Sequence, residues 1–247
     1  MRIPVVRGII ERRILANYHI DPAVVARVLP LPFRPHLVNG YALGGICLIR
    51  LGGIRPRFLP AFCGLRSENA AHRFAVEWDV DGQTRQGVYI PRRDTDSRLT
   101  AWGGGTIFPG LHQHAKFTVK ETNKHLSVAL VSDDGEVRVR VAGTVTDRLP
   151  SSSVFADLAD ASEFFARGSL GYSATQSQGR YEGLELRCQN WQVDPLAIES
   201  VESSYFANES LFPRGSVEFD CALLMRGIHH EWHGREDLCC GEQVWRV

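Results

Sequence analysis

The chain lacks a long apolar run, a CxxC cysteine pair and an excess of charge of either sign. No uninterrupted apolar segment approaches the ~18 residues that span a bilayer, so no membrane partner is expected. The N-terminal stretch MRIPVVRGIIERRILANYHID alternates apolar and charged residues. It has none of the continuous apolar centre of a signal peptide, and it reads as a strand in a cytoplasmic protein. The cysteines, Cys47, Cys63, Cys188, Cys221, Cys239 and Cys240, are scattered with no CxxC spacing. That excludes a zinc-finger framework and argues for reduced thiols rather than disulfides. Cys47 and Cys221 fall inside apolar strand-like runs, where a thiol acts as a small hydrophobe.

Lys+Arg and Asp+Glu both number 28, giving a formal net charge of zero. No global basic field exists to hold a nucleic-acid backbone, and no acidic tail is present. Zero net charge is compatible with self-association, and a homo-oligomer stays open. The catalytic signatures that announce themselves in sequence are missing too. There is no GxSxG nucleophile elbow and no P-loop. The Gly103–Gly105 triplet has neither the GxGxxG spacing nor a following helix, so no dinucleotide or other cofactor is expected.

What is present is a β-rich pattern. At 247 residues and 44% hydrophobic, the chain suits one domain over 1–247. Asp21 before Pro22, with Val24, Val25, Val28 and Leu29, marks a short helix. GYALGGICLIRL from Gly40 reads as a mostly buried strand. Residues 64–80 form a long strand, Asp81-Gly82 a hairpin turn, and 83–91 the return. The tract 92–97 reads as a polar connection. Strands are expected near 112–121, 124–132 and 136–146, with a second turn at Asp134-Gly135. A helix over 154–165 is capped by a serine of 151–153 and stopped by Gly168. Residues 169–179 read as a loop. Strands follow near 181–188 and 190–199, then a short helix at 200–207 and a strand at 217–227. The fold class is α+β and β-dominated: an antiparallel sheet curled into a barrel with a few short helices.

The candidate chemistry starts on strand 64–80. Side chains alternate faces along a strand. If Phe74, Val76 and Trp78 face the core, then Arg66, Glu68 and His72 face it too. A buried carboxylate needs a partner or becomes neutral, and Arg66 is the nearest candidate on that face. The bland reading is a structural ion pair, and the sharper one an acid/base carboxylate in a pocket. On strand 112–121, His112, His114 and Lys116 share one face, and Phe117 and Val119 share the other. The apolar set points inward, so the His/Lys face is expected in water. Lys116 becomes a nucleophile only if desolvation or a neighbouring cation lowers its pKa. His229-His230-Glu231-Trp232-His233 is rich in metal-ligand types, but it is not HExxH and lies on a strand, so no metal is assigned. The arginine-rich segments 50–57 and 92–98 suit a phosphate or carboxylate, though the aspartates beside the second favour an exposed mixed-charge loop.

Tyr18-His19-Ile20-Asp21-Pro22, Leu29-Pro30, Ser67-Glu68-Asn69, Gly87-Val88-Tyr89-Ile90-Pro91, and GGGTIFPG with HAKF occur in that order. This series resembles the uncharacterised bacterial family DUF2071 (YqjF-like), within the acetoacetate decarboxylase-like superfamily. The resemblance covers most of the chain, and that to the decarboxylases themselves about its first half. It implies a cone-shaped β-barrel around a small-molecule pocket. Tyr18, Asp21 and Pro22 match the Tyr-x-x-Asp-Pro helix entry. Arg12 or Arg13 stands near the offset of a pocket arginine, and Glu68 stands on the strand of the acidic pocket residue. The decarboxylase signature ends in Gly-Arg-Glu and a Gly-x-Pro followed by twin lysines, one forming a Schiff base. Here Thr106 and Ile107 follow Gly105, and Gly110, Leu111 and His112 follow Pro109. Lys116 falls several residues late, which argues against acetoacetate decarboxylation.

Three functional expectations result. The first is a pocket for a small organic acid or carbonyl compound. It would carry Glu68 as acid/base, Lys116 or His112 assisting, and Arg66, His72, Arg12, Arg13 or His114 as ligand contacts, with lyase or proton-transfer chemistry open. The second is a non-catalytic binding or interaction protein on the same barrel. The third is a metal-dependent hydrolase built on the histidine clusters.

Overall fold

The alternation at the N-terminus becomes a 15-residue strand, β1 (Val6–Ile20). The structure, a computed structural model, describes residues 4–102 and 110–239. The Gly103–Gly105 triplet and Cys240 lie outside the described residues. Asp21 caps helix α1 (Pro22–Val28), its carboxylate accepting from the Ala23 amide at 2.8 Å. Two-residue strands β2 (Arg34–Pro35) and β3 (Leu37–Val38) lead into β4 (Tyr41–Pro56), β5 (Leu65–Val80) and β6 (Gln83–Thr95). The β5–β6 turn places Asp81 and Gly82 at φ 51° and 73°, the left-handed pair that a tight hairpin requires. Helix α2 (Arg98–Trp102) precedes the meander β7 (His112–Glu121), β8 (His125–Ser132) and β9 (Arg138–Val145). Helix α3 (Leu158–Arg167) is followed by β10 (Leu170–Ala174), β11 (Arg180–Cys188), β12 (Asp194–Ser203), β13 (Val217–Gly234) and β14 (Leu238–Cys239).

These strands form one curled sheet. Pairing runs β6–β7–β8–β9–β12–β13–β1–β4–β5, and β5 pairs back with β6. A second path from β6 passes through β10 and β11 to β13. The sheet is mixed rather than purely antiparallel, because β6 pairs in parallel with both β7 and β10. Those two parallel ladders follow crossovers, which parallel pairing requires.

The feature that positions the site is that β1, β4, β5 and β13 are covered on both faces. Ile14, Ile46, Phe74 and Leu224 belong to one buried cluster. Their odd-numbered neighbours Leu15, Cys47, Ala75 and Leu223 belong to another, together with Phe155, Ala161 and Phe165 of α3 and the segment before it. A strand buried on both sides reads as a nearly continuous apolar run, as GYALGGICLIRL does.

Several local expectations are corrected. The tract 92–97 is largely strand, because Arg92 pairs with Asp94 at 2.9 Å, Asp134 at 2.8 Å and Glu136 at 2.7 Å, satisfying its charge across the ladder. The stretch 169–179 holds β10, and β12 continues through Ser203 where a helix was expected. The cap of α3 is Asp157, accepting from the Asp160 amide at 2.9 Å, and not a serine of 151–153.

Gly45 shows how tightly β1 lies on β4. A Cβ there would sit 2.5 Å from the Ala16 carbonyl oxygen and 3.2 Å from Asn17 Oδ1. Gly45→Ala is expected to destabilise the protein by about 1–3 kcal/mol, the usual cost of overpacking, measured by urea unfolding.

Candidate functional site

A cavity of about 310 Å³ opens on the second buried face, between the odd-numbered side chains of β4 and β5 and helix α3. Small residues leave the room: Ala71 stands beside Cys47 across the β4–β5 ladder, and Gly168 and Gly171 line the far wall. Ile49, Leu51, Phe165, Leu186 and Trp191 supply apolar walls.

Three arginines line this cavity: Arg13, Arg73 and Arg93. Arg73 is 6% exposed. Its Nη2 donates to Asn17 Oδ1 at 2.5 Å, its buried Nε has no hydrogen-bond partner among the described residues, and its guanidinium lies 5.0 Å from the Phe165 ring centre. Arg93 donates from Nε and Nη2 to Ser173 Oγ at 3.1 and 3.0 Å. Arg13 donates from Nε to Cys47 Sγ at 3.2 Å and packs 5.9 Å from the Trp191 ring centre. Among the described residues, none of the three forms an ion pair with a carboxylate. Burial pushes Arg73 and Arg93 down to about 10, so both keep their charge at neutral pH. Buried cations without counter-ions are costly, and an anion entering such a cavity meets an attraction that water screens poorly.

Asn17 is what holds Arg73 in place. It is fully buried beside the irregularity in the β1–β13 register. Its amide nitrogen donates to the Leu15 and Cys221 carbonyls at 3.1 and 3.3 Å, which turns its oxygen toward Arg73. Gly45 leaves the space for this side chain.

The residues expected from sequence divide between the two faces. Arg12 and Arg13, left open as alternatives, point to opposite sides. Arg12 is 1% exposed and holds Glu68 Oε2 at 2.5 Å. Arg50 holds Glu68 Oε1 at 2.6 Å, and both arginines reach Glu121, at 3.3 and 2.8 Å. Glu68 is therefore nearly buried, but it sits in an ion cluster joining β1, β4, β5 and the end of β7, and it does not line the cavity. Its expected partner Arg66 pairs with Glu11 at 2.7 Å on an exposed flank instead. His72 lies on the Glu68 face, fully buried, 4.7 Å from the Tyr205 ring.

On β7, Ala115 is buried while Phe117 and Val119 pack against the first cluster. His114 meets Asp133 at 2.7 Å, and Lys116 is exposed. His112, at the start of the strand, departs from the wet-face reading and lines the cavity. Its Nδ1 lies 3.1 Å from the Gly110 carbonyl. A carbonyl only accepts, so Nδ1 carries the proton. Burial, with Arg93 nearby, pushes His112 down to about 3 and keeps it neutral. The chain's only lysines, Lys116, Lys120 and Lys124, are all exposed along β7 and the turn after it, so no ε-amine reaches the cavity. Among the described residues, no group of three His, Cys, Asp or Glu converges as metal ligands.

Sequence reasoning missed Arg73, Asn17 and Cys47 as site residues, and it set Arg93 aside with the segment 92–98 as an exposed mixed-charge loop. The signal was the doubly apolar β4, which shows that the odd-numbered face of β5 is interior as well.

Burial pushes His72 down to about 3. Between that value and the unfolded ~6.5 the unfolded chain binds the extra proton, so stability is intact above ~6.5 and falls as pH drops. His72→Gln is expected to reduce the slope of stability against pH by up to ~1.4 kcal/mol per unit between about pH 5.5 and 4, measured by urea titrations across that range.

Comparison with solved structures gives the same architecture. Acetoacetate decarboxylase from Legionella pneumophila aligns over 94% of this chain and 87% of its own, with TM-score 0.62 and 12% identity. An acetoacetate decarboxylase-like enzyme from Sphingomonas wittichii RW1 aligns over 96% and 93%, with TM-score 0.58 and 12% identity. The enduracididine biosynthesis enzyme MppR, complexed with pyruvate, aligns over 95% and 90%, with TM-score 0.56 and 11% identity. At such identities the likeness shows the shared fold. No curated protein matches the chain. The model of DUF2071, described as an uncharacterized conserved protein, matches residues 10–227. The curled mixed sheet and this match over most of its length make the chain a member of the DUF2071 family, on the acetoacetate decarboxylase-like fold.

Proposed function

We propose that the protein binds a small organic acid in the arginine-lined cavity. The observation that carries this reading is the set Arg13, Arg73 and Arg93, which line one cavity with no carboxylate partner among the described residues. Arginine suits a carboxylate because its planar fork presents paired donors. The apolar walls suit a short carbon skeleton, and the volume is that of a compact ligand site. The pyruvate complex on the same fold supports a small oxo acid as one ligand type.

This reading moves the ligand away from Glu68. Both oxygens of Glu68 are held by arginines on the opposite face, and Lys116 lies outside the cavity. The reading is therefore one of carboxylate recognition without Schiff-base lyase chemistry. A thermal-unfolding panel tests it by pairing acetate, pyruvate and benzoate with their neutral amides. At least one acid is expected to stabilise the fold, by ~2.7 kcal/mol at a hundredfold excess over Kd, and the matching amide is not. Equal stabilisation by acid and amide, or by no acid at all, contradicts the reading.

A further inference from the structure

The cavity holds a nucleophile that the lysine-based chemistry of its fold relatives does not account for. Cys47 lies on β4 between Leu15 and Ala71, 7% exposed, with its sulfur in the cavity wall. Arg13 Nε donates to that sulfur at 3.2 Å. Arg73 and Arg93 line the same cavity, and each has Cys47 within electrostatic reach. Arg73, in the same cavity wall, is 6% exposed, and its only hydrogen-bond acceptor among the described residues is the neutral Asn17 Oδ1, so this wall carries a buried charge with no counter-ion among them.

We propose that Cys47 is the covalent acceptor of this cavity: its Sγ adds to the electrophilic carbon of a small carboxylate, such as an oxo acid, whose carboxylate sits on Arg73 and Arg93. This rests on the carboxylate reading above and adds the reacting atom. In the carbonyl case the sulfur forms a bond to the carbonyl carbon. The carbon–oxygen π pair moves to oxygen, and the thiol proton ends there, giving a hemithioketal. Nothing is oxidised or reduced, and the step is reversible. Arg13, already hydrogen-bonded to the sulfur, is placed beside the oxygen on which charge develops. The role of the arginines is proximity and charge selection, since a fixed anion-binding group raises the local concentration of an anionic electrophile.

The test uses the full-length reduced protein and two alkylating reagents that differ in charge, iodoacetate and iodoacetamide, with the modified cysteine identified by peptide mass spectrometry. Cys47 is expected to react with iodoacetate at least ~10-fold faster than with iodoacetamide at low ionic strength, with the ratio falling in high salt. Arg93→Gln should reduce the ratio, and Cys188→Ser, which alters the other cavity thiol, should leave it unchanged. The salt dependence on the unmodified protein keeps the test valid if Arg93→Gln does not fold. Pyruvate isotopically labelled at its carbonyl carbon should show a protein-dependent tetrahedral-carbon resonance, distinct from that of pyruvate hydrate, that is lost in Cys47→Ala. Faster labelling by the neutral reagent, labelling that falls on Cys188, or no tetrahedral carbon beyond that of free pyruvate hydrate overturns the proposal. If benzoate binds by calorimetry while any of these occurs, Cys47 is wrong and the carboxylate reading stands. If no carboxylate binds or slows alkylation, both fall.

Discussion

Replacing Arg73 with methionine is expected to weaken the binding of a small carboxylate by about 30- to 4000-fold while leaving the fold as stable as before or slightly more so. Truncating one partner of a buried charge pair costs about 2–5 kcal/mol, and every 1.4 kcal/mol is a factor of ten. Arg73 fits this case because it is 6% exposed and its only hydrogen-bond acceptor among the described residues is neutral, Asn17. The stability side has the opposite sign. Without a ligand, the protein carries a desolvated guanidinium whose Nε has no hydrogen-bond partner among the described residues. Exchanging a poorly compensated buried charge for an apolar side chain of similar length is often neutral or stabilising. Methionine keeps the contact with Phe165. Calorimetric titration together with urea unfolding of the same variant separates the two effects. A parallel loss of stability and affinity would instead make Arg73 a structural residue.

The second large effect lies on the other face. Arg12→Met is expected to destabilise the protein by ~3–5 kcal/mol, because it leaves the nearly buried Glu68 with half of its compensation. Arg12 is 1% exposed and reaches both Glu68 and Glu121, so its loss loosens β1 from β5 and β7 together. Arg12→Met combined with Glu68→Leu should recover much of that loss, since the uncompensated charge leaves with it. Carboxylate affinity, corrected for the folded fraction, should stay within about twofold in the double variant, because the cluster is separated from the cavity by the sheet. The two substitutions thus form a contrast: Arg73 governs binding at little cost in stability, and Arg12 governs stability with little effect on binding.

Much of the fold was legible because its determinants are local. The Asp21-Pro22 entry, the Asp81-Gly82 and Asp134-Gly135 turns and the alternation in β1 each set the backbone within a few residues. The parallel ladders of β6 were not legible, since they join segments separated by crossovers. Residues 92–95 looked like loop because their charges are satisfied by Asp134 and Glu136, about forty positions away. The site was half legible. The pocket expected from the DUF2071 resemblance corresponds to a cavity, and Arg13 and His112 both line it. Glu68, the carboxylate singled out from sequence, lies on the opposite face of the sheet from that cavity. Phe74, Val76 and Trp78 do face a core, but so do Ala71, Arg73 and Ala75 on the other side. Parity along one strand separates two faces without saying which of them borders a hollow. That depends on which residues cover the sheet, here Phe155 and α3, more than seventy positions beyond the end of β5.

The central claim is that an organic anion occupies the face of Arg13, Arg73 and Arg93 and not the face of Glu68. A crystal structure of the protein grown with the tightest-binding acid of the thermal panel tests it most directly. The predicted result is ligand density in the cavity, with carboxylate oxygens at hydrogen-bonding distance from Arg73 and Arg93. Density beside Glu68, or an empty cavity with the ligand bound elsewhere, would contradict it.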